Sequence, residues 1–431
     1  MRYITTDGTK TGSLRQAVED CYAVPGELWL PERLPMLPRA YFNNIDEMSL
    51  TEIAYVVLST LLRDDVDPVV LKDIVEKTFN FPMPLRTLES GEHVLELFHG
   101  PTMAFKDVGA RFLAALVDRF RSRGKVNVVV ATTGNTGGAV ANALSGIPGI
   151  EVLVLFPRGT LSRAQQAQFL TAAPNVHPIE VAGNISQCKK MAREAVEDAA
   201  NNCISANTQN IMRILPQIVF FFHAYARLRS EIGEKADGFT VAVPCANLSN
   251  LTAAVMARRM GLPMGKIVAG CNANDDFVRL LKGEIDRSRF NRTARPTLAS
   301  AMDLGFPVNL PRLEKLYGGD IRAMAGEISA VTVDDDAIEA TINDCLKNEG
   351  YTVDPHTAVA MAAAQIAAPA GKPVVILATA HPAKSLDVMT AVTGRVVELP
   401  LQFTRFMSKP VPAVKMAPSY AALKKYINDS L

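Results

Sequence analysis

Seven short apolar runs, VNVVVA, EVLVLF, HPIEVAG, FTVAVP, KIVAGCN, ISAVTV and PVVILAT, recur from residue 126 onward, mostly separated by helical stretches. Strands that are apolar along their whole length must be covered on both faces, which requires parallel strands joined by helical crossovers. The stretch ISQCKKMAREAVEDAA supplies such a crossover, with Ile185, Cys188, Met191, Ala192, Ala195 and Ala199 on one face at spacings of three and four. An α/β enzyme architecture follows.

At 431 residues and 48% hydrophobic content the chain can bury more than one core. Residues 1–95 lean helical, as in IDEMSLTEIAYVVLSTLLRDD, and read as an N-terminal domain packed around something larger. The remainder divides into 96–205 and 206–431. Lys and Arg total 45 against 44 Asp and Glu, with no run of five like charges, so nothing points to nucleic acid or an acidic membrane surface. A small-molecule partner is expected, for a monomer or homodimer. Six scattered cysteines without a C-x-x-C pair suit a reducing compartment, and no stretch of 18 apolar residues exists. The N-terminus lacks the basic and apolar regions of a signal peptide, so a soluble, cytoplasmic protein is expected.

Ligands of parallel sheets collect beyond the carboxyl ends of strands. Four loops there are distinctive: ATTGNTGG (131–138), VPCANLSN (243–250), CNANDD (271–276) and ATAHPAK (378–384). The first turns tightly into a helix and can aim several amides at an anion, yet it is neither a P-loop nor G-x-G-x-x-G. Lys106 in FHGPTMAFKD follows apolar Met103, Ala104 and Phe105, and such neighbours desolvate an amine and free it as a nucleophile. No histidine pair has metal-ligand spacing, so no metal is expected; His99, His356 and His381 read as loop hydrogen-bonding residues. Cys245 and the Phe220–Phe222 run read as packing.

ELFHGPTMAFKD resembles the cofactor-lysine segment of the threonine synthase family, pyridoxal-phosphate enzymes of fold type II. The likeness continues in order through RYITTDG, LPERLP, ATTGNTGGAVA, LFPRGTLS, SANTQNIMRILPQI, NLTAAVMARRMGLP, GCNANDDF, TLASAMD, DPHTAVA and TAHPAK. The resemblance is to the longer form with an N-terminal domain. It implies two doubly wound, mostly parallel sheet domains with pyridoxal 5'-phosphate in the cleft between them. It also implies that Lys106 forms the Schiff base and shuttles protons, that Asn135 lies near the ring hydroxyl, and that Thr379 meets the pyridine nitrogen. Thr133, Gly134, Asn135, Thr136 and Gly137 are then expected around the substrate carboxylate. Arg158, Asn207 and Arg213 are expected at the phosphate of the substrate, O-phosphohomoserine, which the family converts to threonine.

One loop departs from the pattern. Where the family carries S-G-N-F-G-N, this chain has Cys245, Ala246, Asn247, Leu248, Ser249 and Asn250. Glycine tolerates positive φ and leaves room for a phosphate, so Ala246 and Ser249 keep the amide donors only with ordinary torsions. Ala299 and Phe306 also replace usually polar residues. Three readings stand: threonine synthase; a divergent paralogue catalysing another β/γ-replacement or elimination, such as a lyase giving 2-oxobutyrate; or a binding subunit without coenzyme.

Overall fold

The computed structural model describes residues 1–21, 26–121, 124–159, 161, 167–169, 173–291, 293–404 and 413–431. At the N-terminus β1 (Tyr3–Thr5), β2 (Thr11–Gly12) and β3 (Trp29–Pro31) form an antiparallel sheet in the order β2-β1-β3. Helices Leu50–Leu62 and Pro68–Thr78 follow, the first started by a capping box between Ser49 and Glu52. The expected N-terminal helices are present; the small sheet is an addition that its two- and three-residue strands conceal in the sequence.

β4 (Leu85–Thr87) and β5 (His93–Glu96) open a large sheet that the chain leaves and completes later. β6 (Val126–Ala131), β7 (Ile150–Pro157), β8 (Val176–Val181) and β9 (Cys203–Ser205) build a second sheet. β10 (Phe239–Pro244), β11 (Met264–Cys271), β12 (Ile328–Thr332) and β13 (Val374–Ala378) then fill the first, in the order β12-β11-β10-β13-β5-β4. β14 (Val414–Met416) returns to the second, giving β14-β8-β7-β6-β9 with every pairing parallel. Only the β4 edge of the six-stranded sheet is antiparallel. All six residues of β6 are buried, as a doubly covered strand requires.

Strand exchange shifts the divisions expected from sequence. β4 and β5 belong to the sheet of β10–β13 rather than to an N-terminal unit, and β14 belongs to the sheet of β6–β9 rather than to 206–431. Backbone pairing overrides chain order here. Helix Pro355–Ala367 packs behind the six-stranded sheet, while Ile185–Glu197 and Tyr420–Ser430 cover the five-stranded one. Phe220, Phe221 and Phe222 lie wholly in the core, all six cysteines are free and buried, and among the described residues no helix is long and apolar enough to cross a membrane.

Candidate active site

A cleft opens at the carboxyl ends of strands from both large sheets, lined by residues after β6, β9, β10 and β13 and by the start of helix Lys106–Phe120. The loop from β5 to Lys106 is sharply bent, with buried Met103 at φ +57°. It is zippered to the end of β13. Phe105 N–H donates to the Thr379 carbonyl (3.0 Å), His381 N–H donates to Met103 (3.1 Å), and Ala104 pairs with Ala380 in an antiparallel bridge.

Below this zipper lies a buried polar brace. Asp107 accepts from the Thr102 amide (2.8 Å) and hydroxyl (2.5 Å), while Lys384 donates to the Thr102 carbonyl (2.7 Å) and to Gln168 Oε1 (2.6 Å). Burial pushes the Lys384 ammonium down to about 7 and the Asp107 carboxyl upward. Lys106 itself has no hydrogen-bond or ion-pair partner among the described residues and lines the cleft. Burial first, then the nearby Arg213 guanidinium, lowers its ammonium to about 8.

In the loop after β6, Gly134 takes φ +133° and ψ −90°, a conformation open to glycine alone. Thr133, Asn135 and Thr136 line the cleft, and buried Asn135 Oδ1 has no partner. The expectation for Gly134 and Gly137 needs correction: their amides do not face the cleft but both donate to Thr132 Oγ1 (2.9 Å each). Thr132 shapes the turn from inside, and a Cβ at Gly137 would lie 2.6 Å from its methyl group.

The loop CANLSN follows β10 and starts helix Ser249–Arg259. Its left-handed residue is Leu248, at φ +60°, so Ala246 and Ser249 keep ordinary torsions and the missing glycines cost the loop nothing there. Among the described residues the amides of 246–250 have no backbone partner, and they open an 11-residue helix whose N-terminus favours an anion. Both side-chain atoms of buried Asn250 lack partners as well. Asn247 faces the other way: it donates to Thr208 Oγ1 (2.7 Å) and accepts from the Val308 amide (2.9 Å), anchoring the loop rather than offering its amide to a ligand.

Two candidates for a substrate phosphate are displaced. Arg158 is exposed past the end of β7, 3.7 Å from Glu180, and is not among the cleft residues; Thr160 and Ser162 of LFPRGTLS lie outside the described residues. Asn207 borders the cleft, but its side-chain amide donates to the Ala131 carbonyl (2.9 Å) and accepts from the Ala131 amide (3.0 Å), extending β6 by a mock strand pair. Arg213 lines the cleft. It is buried, donates to the Ala206 carbonyl (2.6 Å), and leaves Nε without a partner. Burial pulls its guanidinium down to about 10. Gly109 permits this approach, since a Cβ there would meet the Arg213 carbonyl at 2.6 Å.

The other departures are structural. Ala299 is wholly buried, and Phe306 packs on Phe290 (5.6 Å between centroids). CNANDD stands outside the cleft, with Asn272 donating to Thr297 Oγ1 and Asp303 Oδ1 and so holding the 297–304 segment against it. His99 pairs with Glu96 (2.6 Å) and His381 accepts from the Ala383 amide (3.1 Å). His356 borders the cleft, bonded through Nδ1 to Asp354 while Nε2 accepts from the Ala301 amide (3.2 Å). Cys245 is buried, and burial raises its thiol well above the usual range. Thr132, Lys189 and Lys384 are the residues that sequence reasoning missed. Thr132 acts locally, through the amides two and five residues on, whereas Lys384 acts through Thr102 and Gln168, far away in the chain.

Comparison with known proteins agrees with this geometry. A pyridoxal-phosphate dependent enzyme model matches residues 83–380, a threonine synthase N-terminus model residues 2–79, and a threonine synthase C-terminal model residues 357–427. Threonine synthase of Escherichia coli is 33% identical over 98% of both chains, and that of Haemophilus influenzae 34% over 96% of both. The crystal structure of the Escherichia coli enzyme covers all of both chains with a TM-score of 0.92 and 32% identity. The pyridoxal-phosphate-bound threonine synthase of Brucella melitensis, at 28% identity, covers 99% of this chain and 98% of its own with a TM-score of 0.89.

Proposed function

The chain belongs to the threonine synthase family of pyridoxal-phosphate-dependent lyases, and from that premise we propose that its cleft converts O-phosphohomoserine and water to L-threonine and inorganic phosphate. The coenzyme's chemical needs match what the cleft leaves without hydrogen-bond partners: an amine whose ammonium is lowered to about 8, a row of free amides at a helix start, a hydroxyl and a buried amide oxygen. When bound, pyridoxal phosphate supplies an electron sink for charge developing on the substrate carbons.

Lys106 supplies the nucleophilic amine that captures the aldehyde. The same Nζ would serve as the base that takes a proton from the substrate Cα and the acid that returns protons to later carbons. The amides of Ala246, Leu248, Ser249 and Asn250 hold the coenzyme phosphate, with the Ser249 hydroxyl beside them. The neutral Thr379 hydroxyl would hold the pyridine nitrogen, and Asn135 Oδ1 would accept from the ring hydroxyl. Thr133 and Thr136 hydroxyls, with the amides of Asn135 and Thr136 at the start of helix Asn135–Leu144, orient the substrate carboxylate. Arg213 takes the substrate's phosphate.

The observation that carries this reading is the Lys106 amine, which has no hydrogen-bond or ion-pair partner and lies over the Phe105 ring (5.9 Å), in a cleft whose lining among the described residues contains no Asp or Glu. Purified holoenzyme is expected to release phosphate and threonine in equal amounts from O-phosphohomoserine. Accumulation of 2-oxobutyrate without threonine identifies an elimination enzyme instead; no phosphate release removes the reading.

Coenzyme capture also carries a pH signature. With Lys106 at about 8, roughly a tenth of the amine is neutral at pH 7 and about a hundredth at pH 6. The rate at which apoprotein gains visible absorbance on mixing with pyridoxal phosphate is therefore expected to rise about tenfold per pH unit below 8 and to level off above it. A rise continuing past pH 10 means the amine is solvated.

A further inference from the structure

The cleft holds one more cation than its sequence motifs account for. Lys189 lines it from helix Ile185–Glu197, one turn after Ile185, which also faces the cleft. The other cations of this helix are neutralised along its outer face: Lys190 lies 3.9 Å from Glu194, and Arg193 lies 3.6 Å from Glu197. Lys189 has no such option. Its neighbours three and four residues on are Ala192 and Arg193, and among the described residues it forms no ion pair or hydrogen bond. Burial lowers its ammonium below the usual lysine range.

Arg213 also meets no anion among the cleft-lining residues, although the buried Asp107 carboxylate acts on it. It is nine-tenths buried or more, lines the same cleft, and keeps Nε without a partner. No acidic residue lines the cleft, and the positions outside the described residues contain no Asp or Glu either. A half-buried ammonium with no anionic partner, and a buried guanidinium whose burial the Asp107 carboxylate offsets only in part, are costly in the free protein, and that cost falls when a bound anion adds negative charge. Other anions have other places. The coenzyme phosphate has the helix start at Ser249, and the substrate carboxylate has the helix start at Asn135. Two positive charges remain, and they match one dianion.

We propose that Lys189, together with Arg213, holds the dianionic leaving group of the substrate and makes the enzyme selective for phosphorylated over uncharged homoserine derivatives. This rests on the functional reading above and assigns its phosphate site to a residue of helix Ile185–Glu197, a different element of the cleft from Lys106's helix. Lys189 acts by binding; it has no proton-transfer role, and its side chain lies outside the buried core.

The test compares wild type with Lys189→Gln and Lys189→Arg as holoenzymes. Gln is expected to raise KM for O-phosphohomoserine about ten- to a hundredfold with kcat within about threefold, and to weaken inhibition by inorganic phosphate in parallel. Arg is expected to recover most of both, and the visible spectrum of the coenzyme stays unchanged in all three. Unchanged KM and unchanged phosphate inhibition in the Gln variant overturn the assignment while leaving the function intact. If wild type releases no phosphate from the substrate, the functional reading fails. The Lys189 site is then judged by calorimetric titration with inorganic phosphate, where equal affinity of wild type and Gln variant sinks it.

Discussion

Lys106→Ala is expected to lower kcat about 10⁴-fold or more and to abolish the visible absorbance of the holoprotein, while the far-ultraviolet circular dichroism spectrum stays that of wild type. The fold tolerates the change because Lys106 is the first residue of its helix, its amine has no hydrogen bond or ion pair to lose, only a contact over the Phe105 ring, and alanine is a good helix former. Lys106→Arg separates two roles of the side chain. Arginine keeps a positive charge against the cleft, yet it stays protonated and cannot act as a nucleophile. Both variants should therefore fail alike, and a small primary amine added to Lys106→Ala should restore part of the rate. An arginine variant that retains more than a few per cent of activity means that charge, and not the neutral amine, is what the cleft requires.

How far the site could be read from sequence follows from how local each feature is. Lys106 announces itself because its desolvating neighbours Met103, Ala104 and Phe105 are adjacent in the chain, and the CANLSN loop does so because it joins a strand to a helix. Leu248 is a different matter. That it, rather than either former glycine position, takes the left-handed torsion depends on how the loop meets Thr208 and Val308, residues far away in sequence. Arg158 misleads because a strand end near the cleft does not determine which way its side chain points; here it lies beside Glu180 on the neighbouring strand. Asn207 misleads for a related reason, since a polar residue at a cleft can be consumed by the backbone it supports. The parallel sheets were legible from continuous apolar runs, but β14 was not. Three residues that cross back to pair with β8 carry no periodicity of their own.

The same logic of distant partners makes Arg312 the position where one substitution should disturb both stability and the cleft. Its guanidinium is wholly buried and donates to the carbonyls of Trp29 (2.8 Å), Thr208 (2.6 Å) and Gln209 (2.6 Å), and to Asn309 Oδ1 (2.5 Å). Trp29 belongs to the N-terminal sheet, whereas Thr208 and Gln209 line the cleft, and the Thr208 hydroxyl accepts from Asn247 of the CANLSN loop. One side chain thus fastens the N-terminal region to the loop that is proposed to hold the coenzyme. Arg312→Met keeps the bulk but leaves the buried Trp29 carbonyl and the partly buried Thr208 and Gln209 carbonyls without this donor, at a cost of about 3–5 kcal/mol. The variant is expected to unfold at markedly lower denaturant concentration and to bind pyridoxal phosphate at least about tenfold more weakly. Lysine at 312 should recover less than half of the loss, because an ammonium on a flexible stem cannot reach acceptors spread across the planar fork. Retention of wild-type unfolding and coenzyme affinity in Arg312→Met would mean that the N-terminal sheet rides on the catalytic core without bracing it.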